Sequence, residues 1–227
     1  MATQHIVKSY DQEISLLTRK ILEMGGVVEH QIARSIDALV TRNLEEAAEV
    51  IARDDQVDRI EEEIDQHAIR LLATRQPMAF DLRLIAMAMK ISNDLERIGD
   101  YATNIASRCE RLAALPPVKP LHGIPRMAQI AQEMVKDILD AYVQRDADKA
   151  IAVWHRDNEV DDMYTSLVRE LLTYMLEDPR NISACLDLTF VAKNLERIGD
   201  HTTNIAEKIH YMIHGQRINR MPRPATA

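Results

Sequence analysis

Apolar residues recur along this chain at intervals of three and four, the spacing of one face of an α-helix, and few signals interrupt them. The rhythm predicts a first helix over 6–40, ending near Thr41-Arg42-Asn43, and a second over 44–74, stopped before Pro77. A third spans 79–112 and is closed by Pro116 and Pro117. The stretch 116–125, which contains Gly123, reads as the one linker. Three more helices follow over 126–145, 148–176 and 178–214, and 216–227 reads as a polar tail. Helices of thirty-odd residues would be about 50 Å long at about 1.5 Å per residue. The predicted fold is therefore all-α: six long helices forming two tandem antiparallel three-helix bundles, one over 1–115 and the other over 126–215.

The two bundles are copies. Leu95-Glu96-Arg97-Ile98-Gly99-Asp100 returns as Leu195-Glu196-Arg197-Ile198-Gly199-Asp200, and Thr103-Asn104-Ile105-Ala106 as Thr203-Asn204-Ile205-Ala206. A weaker pair precedes them: Arg53-Asp54-Asp55-Gln56-Val57-Asp58 and Arg156-Asp157-Asn158-Glu159-Val160-Asp161. Elsewhere the halves have diverged, which marks the retained residues as constrained.

Composition narrows the function. Apolar residues make up 46 % of the 227, aromatics only 4 %, with six Gly and eight Pro, which favours long helices over strands. A net charge of −8 without a basic run argues against nucleic acid as partner. No apolar run approaches the roughly 20 residues of a membrane span, and the first residues lack a signal-peptide core. A soluble, cytoplasmic protein is expected. Cys109 and Cys185 stand at non-equivalent places without metal or redox spacing and read as inert apolar residues.

Helical phase divides the doubled motif into two faces. Ile91, Leu95, Ile98, Ala102 and Ile105 form an apolar face, as do Val191, Leu195, Ile198 and Ile205. Glu96 and Asp100 share a different stripe with Thr103 and Asn104, as do Glu196, Asp200, Thr203 and Asn204. Upstream the first of these stripes is apolar, through Met78, Leu82, Ile85 and Met89. On the second helix Asp54 and Asp58 fall on the side of Val50, Ile64 and Leu72, and Asp157 and Asp161 hold the equivalent place. Carboxylates inside an apolar stripe are costly unless compensated. Each half thus offers two acid pairs that neighbouring helices bring face to face, a donor set suited to hard divalent or trivalent cations. The excess charge of −8 equals the number of these acids.

Plainer readings compete. Asp54/Asp58 and Asp157/Asp161 could form a solvated helix edge, and Glu61 and Asp65 extend the acidic stripe in the first half alone. Glu96/Asp100 and Glu196/Asp200 could pair with Arg or Lys of a neighbouring helix. Arg97 and Arg197 are expected to point about 100° away from the acids and to brace another helix or bind an anion. Gly99 and Gly199 cost about 1 kcal/mol each in mid-helix and are expected to mark close approach of another helix backbone, with a ligand contact second. His155 and His201 are either exposed or supply nitrogen to a metal. The Tyr101/His201 exchange predicts two unequal sites.

The doubled LERIGD…TNIA motif, its RDxxVD partners and the opening Tyr10-Asp11-Gln12-Glu13-Ile14…Leu22-Glu23-Met24-Gly25 resemble the PhoU family of bacterial phosphate-regulation proteins, over essentially the whole chain. The resemblance implies a cytoplasmic homodimer, not an enzyme, that couples the ATPase subunit of a high-affinity phosphate ABC transporter to a phosphate-sensing histidine kinase. It would repress the phosphate regulon, touching the membrane only through those partners. It also implies metal ions (iron, manganese, magnesium or zinc) on Glu96, Asp100, Glu196 and Asp200, and less firmly on Asp54, Asp58, Asp157 and Asp161. Two alternatives remain at this point: a carboxylate-bridged di-metal enzyme and a metal-free helical scaffold. Ferritin-like enzymes use Glu-x-x-His pairs, and Gly99 and Gly199 occupy those histidine positions here.

Overall fold

The computed structural model of the chain describes residues 2–118 and 123–218, with side chains from Tyr10 onward. Its helices are α1 (Ala2–Thr41), α2 (Leu44–Ala52), α3 (Asp54–Arg75), α4 (Ala79–Ser107), α5 (Cys109–Ala113), α6 (Gly123–Gln144), α7 (Ala147–Glu177) and α8 (Ile182–His214). A short 3-10 turn, Pro179–Asn181, precedes α8. The expected second helix is broken at Arg53 into α2 and α3, and the expected third is broken at Arg108, so that α5 follows α4. The expected linker is shorter than 116–125: residues 119–122 lie outside the described residues, and α6 already begins at Gly123. Pro125 is tolerated in that first turn because it has no intrahelical hydrogen bond to lose. Most of the expected tail, 219–227, also lies outside the described residues.

The same corner is built twice. Each bundle's first helix ends on a left-handed arginine, Arg42 at φ 55° and Arg145 at φ 53°. The following residue then caps the next helix: the Asn43 side chain accepts from Glu46 N, and the Asp146 side chain from Lys149 N. A left-handed arginine costs about 1 kcal/mol, and both side chains find partners. Arg42 Nη1 donates to Leu115 O at 3.0 Å, and Arg145 lies over the Phe80 ring at 4.9 Å.

In the first repeat α1, α3 and α4 pack on one another around Ile21, Val28, Ile64, Ile91 and Leu95; in the second α6, α7 and α8 do so around Met134, Ile138, Val160 and Leu195. Two helix pairs chiefly join the repeats, α4 with α8 and α1 with α6, and α5 adds Arg111 against Asp187 of α8. Between α1 and α6 the approach depends on Gly25, where an added Cβ would meet Leu139 Cδ1. α4 and α8 run antiparallel, since Arg83 Nε donates to Met212 O at one end and Arg108 meets Asp187 at the other. The motif helices of both repeats therefore form the centre of the molecule. No helix among the described residues is long and apolar enough to cross a membrane.

Candidate functional site

In the first repeat the break at Arg53 puts Asp54 in the opening turn of α3, against α4. Thr103 Oγ1, two turns from Glu96, donates to Asp54 Oδ1 at 3.1 Å. Burial, with Asp100 and Asp58 nearby, raises the Asp54 carboxyl above the usual range, against the pull of the Thr103 hydrogen bond. Glu96 is perturbed further. Its side chain is 18 % exposed, and Oε2 is buried without a hydrogen bond. Burial first, then Asp100, pushes it up to about 7; Glu61 and Asp58 add to this and Arg97 opposes it. Five acids of α3 and α4 thus act on one another: Asp54, Asp58, Glu61, Glu96 and Asp100.

Two expectations are corrected here. Arg97 does not swing away from the acids: it approaches Glu96 Oε2 at 3.4 Å, outside hydrogen-bond geometry, and Asp100 Oδ2 at 3.1 Å. Its long side chain reaches back along its own helix, one turn at most. Asp58 does not sit in the apolar stripe of the second helix but is exposed, because Val57, Ile60 and Ile64 are the residues that α3 buries.

In the second repeat α7 is unbroken, and Asp157 is only 2 % exposed. Its Oδ1 would lie 2.5 Å from a Cβ placed on Gly199, so the missing side chain is what lets this carboxylate lie against α8. Val160 Cγ1 would stand 3.6 Å from the same point, as Val57 Cγ1 would stand 3.5 Å from a Cβ on Gly99. Both glycines therefore admit side chains, Asp157 and Val160 at Gly199 and Gln31 and Val57 at Gly99, not a helix backbone as the sequence suggested. Glu196 is 13 % exposed; Oε1 pairs with Lys193 at 2.5 Å, while Oε2 is buried without a hydrogen bond. Asp161 and Asp200 are half-buried beside it in the chain's motifs. Tyr164 stands where the first repeat has Glu61, and its ring lies under Lys193 at 5.3 Å.

Among the described residues no three His, Cys, Asp or Glu side chains converge to surround one ion as they stand. The donors are nevertheless of one kind. Each repeat presents carboxylate oxygens, one of them a glutamate oxygen buried without a hydrogen bond, as a hard cation requires. In donor type alone these residues suit such an ion. His155 is exposed and turns its ring to Trp154, 5.1 Å between centroids.

Sequence reasoning missed a second polar system. Tyr101 and His201 do not distinguish the two acidic patches; they meet each other across the α4–α8 seam. His201 Nδ1 donates to Asp94 Oδ1 at 3.0 Å, since a carboxylate can only accept, and Nε2 lies 3.4 Å from the Tyr101 hydroxyl. Lys208 also binds Asp94, whose side chain is 6 % exposed, and Arg197 stacks over Tyr101 at 5.7 Å, bracing the neighbouring helix as expected. At the far end Arg108 and Arg111 hold the buried Asp187 at 3.1 and 3.2 Å. The signal was a seven-residue spacing, Met87, Asp94, Tyr101 and Arg108 repeated as Asp187, Asn194, His201 and Lys208.

Comparison with known proteins places this arrangement. The family model described as "PhoU: PhoU domain" matches residues 21–109 and again 124–209. A phosphate-specific transport system accessory protein PhoU homolog of Caulobacter vibrioides is 50 % identical over 217 residues, 95 % of this chain and 94 % of that protein. Its counterpart in Rhizobium meliloti is 48 % identical over 95 % and 91 % of the two chains. The crystal structure of PhoU from Pseudomonas aeruginosa superposes with a TM-score of 0.86 at 40 % identity, covering 91 % of this chain and all of that one. The phosphate transport system regulatory protein PhoU from Streptococcus pneumoniae also gives a TM-score of 0.86, at 27 % identity, over 92 % and 99 % of the chains. With both repeats matched, and the doubled acidic motif at the centre of each, the chain belongs to the PhoU family.

Proposed function

We propose that the chain is a non-catalytic, cytoplasmic regulator of phosphate uptake and signalling. It works as a homodimer that couples the ATPase subunit of a phosphate ABC transporter to a phosphate-sensing histidine kinase and keeps the phosphate regulon repressed. The observation that carries the reading is the end-to-end similarity, through both repeats, to accessory proteins of the phosphate-specific transport system. In this reading Glu96 and Asp100, with Asp54 and Asp58, hold metal in the first repeat; Glu196 and Asp200, with Asp157 and Asp161, hold it in the second. The support for metal is the pair of buried glutamate oxygens without hydrogen bonds and the strain on ionisation at Glu96. A bound cation would offset the mutual repulsion among Glu96, Asp100, Asp54 and Asp58. Against a di-metal oxidase stands the residue three after each glutamate, Gly99 or Gly199, which leaves no histidine ligand at that place.

The test is elemental analysis of the purified chain beside its Glu96→Ala/Asp100→Ala variant. Helicity should persist and bound metal should fall by about half, because two separate sites are expected. Unchanged metal content would sink the metal reading. Capture of the transporter ATPase and of the kinase sensor, each with and without chelator, tests the coupling role. Oxygen consumption on addition of iron would favour the enzyme instead.

A further inference from the structure

Each position of the α4–α8 seam has a duplicate 100 residues on in the opposing helix, and the two ends of the seam differ. At one end the Asp187 carboxylate is buried between Arg108 and Arg111, with the Phe190 ring 4.8 Å from the Arg108 guanidinium. At the other end Met87 stands in place of Asp187, Lys90 in place of Phe190 and Lys208 in place of Arg108. Here the seam opens into a cavity of about 400 Å³, bordered by those three residues together with Asn204, Glu207 and Arg217. Lys208 is engaged by Asp94, deeper in the seam. Among the described residues no carboxylate pairs with Lys90 or Arg217, and Glu207 is the one acid lining the cavity. Each end of the seam thus pairs its duplicate cation with one buried acid, Arg108 with Asp187 and Lys208 with Asp94, but the second end adds Lys90 and Arg217 at the cavity, and no carboxylate among the described residues pairs with them.

We propose that this cavity binds a phosphate-class oxyanion, either the free ion or the phosphate group of a small ester. The ligand's oxygens occupy the place that the Asp187 carboxylate fills at the opposite end. Lys90, Lys208 and Arg217 supply charge, and the Asn204 amide and the Tyr211 hydroxyl supply neutral donors. Lys90 and Arg217 outnumber Glu207 at the cavity, and Lys208, shared with Asp94, adds a third donor, which suits an oxyanion. The volume lies within the roughly 300–1,000 Å³ of small-molecule sites. Glu207 opposes binding and limits affinity. This inference does not depend on metal at the acidic patches.

Isothermal titration of the full chain, in metal-free buffer, with inorganic phosphate, with pyrophosphate and with ATP provides the test. At least one probe should bind saturably. The Met87→Asp variant, which installs the missing counterpart of Asp187, should lose roughly tenfold or more in affinity, as should Lys90→Ala/Arg217→Ala. Glu207→Gln should tighten binding, and Glu96→Ala/Asp100→Ala should leave it unchanged, which keeps this result separate from the metal reading. Phosphate binding without ATP binding identifies the free ion, and the reverse identifies an ester; either supports the site. Absence of saturable binding by all three probes overturns it. So does affinity that is unmoved in both cavity variants while their circular dichroism stays native.

Discussion

Gly99 and Gly199 occupy equivalent turns of duplicate helices, so replacing each by alanine is one experiment with an internal control. In a helix interior the change gains about 0.5–1 kcal/mol from chain entropy and propensity at either site. What the new methyl meets differs. At Gly99 the closest atom is Gln31 Oε1 at 3.2 Å, followed by the Val57 methyls at 3.5 and 3.6 Å. Those are tight but tolerable contacts, and a glutamine side chain yields a few tenths of an ångström. Gly99→Ala should therefore be neutral or slightly stabilising. At Gly199 the methyl would lie 2.5 Å from Asp157 Oδ1, so a short, buried carboxylate must move by most of an ångström. Overpacking of this kind costs about 1–3 kcal/mol, which leaves Gly199→Ala about 0–2 kcal/mol less stable than the parent and ~1–3 kcal/mol below Gly99→Ala. Urea unfolding followed by far-ultraviolet circular dichroism measures both. If the proposed metal site of the second repeat holds, Gly199→Ala should also lower its metal content because Asp157 moves, while Gly99→Ala should not. A Gly199→Ala midpoint equal to or above that of Gly99→Ala would refute the reasoning.

Three further outcomes follow from contacts already described. Glu96, ordinarily 4.5, is pushed up to about 7 by burial in the folded chain, so the fold retains a proton that the unfolded chain releases. Stability should fall as pH rises through that window and level off above it; Glu96→Gln should flatten the slope and gain about 1–2 kcal/mol at pH ~8, after discount for solvent screening, in chelator-containing urea titrations. Asp94→Asn leaves Lys208 and His201 facing a neutral amide in the seam and should cost about 2–4 kcal/mol; a loss under about 1 kcal/mol would show the clasp to be weak. Gly25→Ala puts a methyl against Leu139 Cδ1 between α1 and α6 and should lower the urea midpoint, with Leu139→Ala in the same chain restoring part of the loss.

The helices and the apolar faces were legible because periodicity reports burial directly: Ile91, Leu95, Ile98 and Ile105 are all buried as their spacing requires. The acid motifs were legible because they occur twice. What escaped was set by rotamers and partners. Helical phase gives the direction in which Arg97 leaves its helix, not where a long side chain ends, and it ends on Asp100. The phase of Asp54 and Asp58 was carried across Arg53, where the helix restarts, so Asp58 was placed in a stripe that the break rotates away. The seam was hidden by chemistry: a heptad of Asp, Tyr and Arg reads as a solvated face until its duplicate supplies the opposing charges. His201 likewise gained meaning only from Tyr101 and Asp94, which lie 100 and 107 residues away.

The division of charge along that seam has a consequence for how such a molecule arises and errs. Each motif helix contributes one buried acid and one cation at the shared duplicate position, Asp94 with Arg108 on α4 and Asp187 with Lys208 on α8. Any two such helices laid antiparallel would therefore be electrically balanced, whether they come from one chain or from two. A single-repeat ancestor could have self-associated before gene fusion without a stranded charge. The same tolerance gives the fused chain little electrostatic means to prefer its own second repeat over that of a neighbour, so the charges of the seam do not by themselves oppose repeat exchange between molecules.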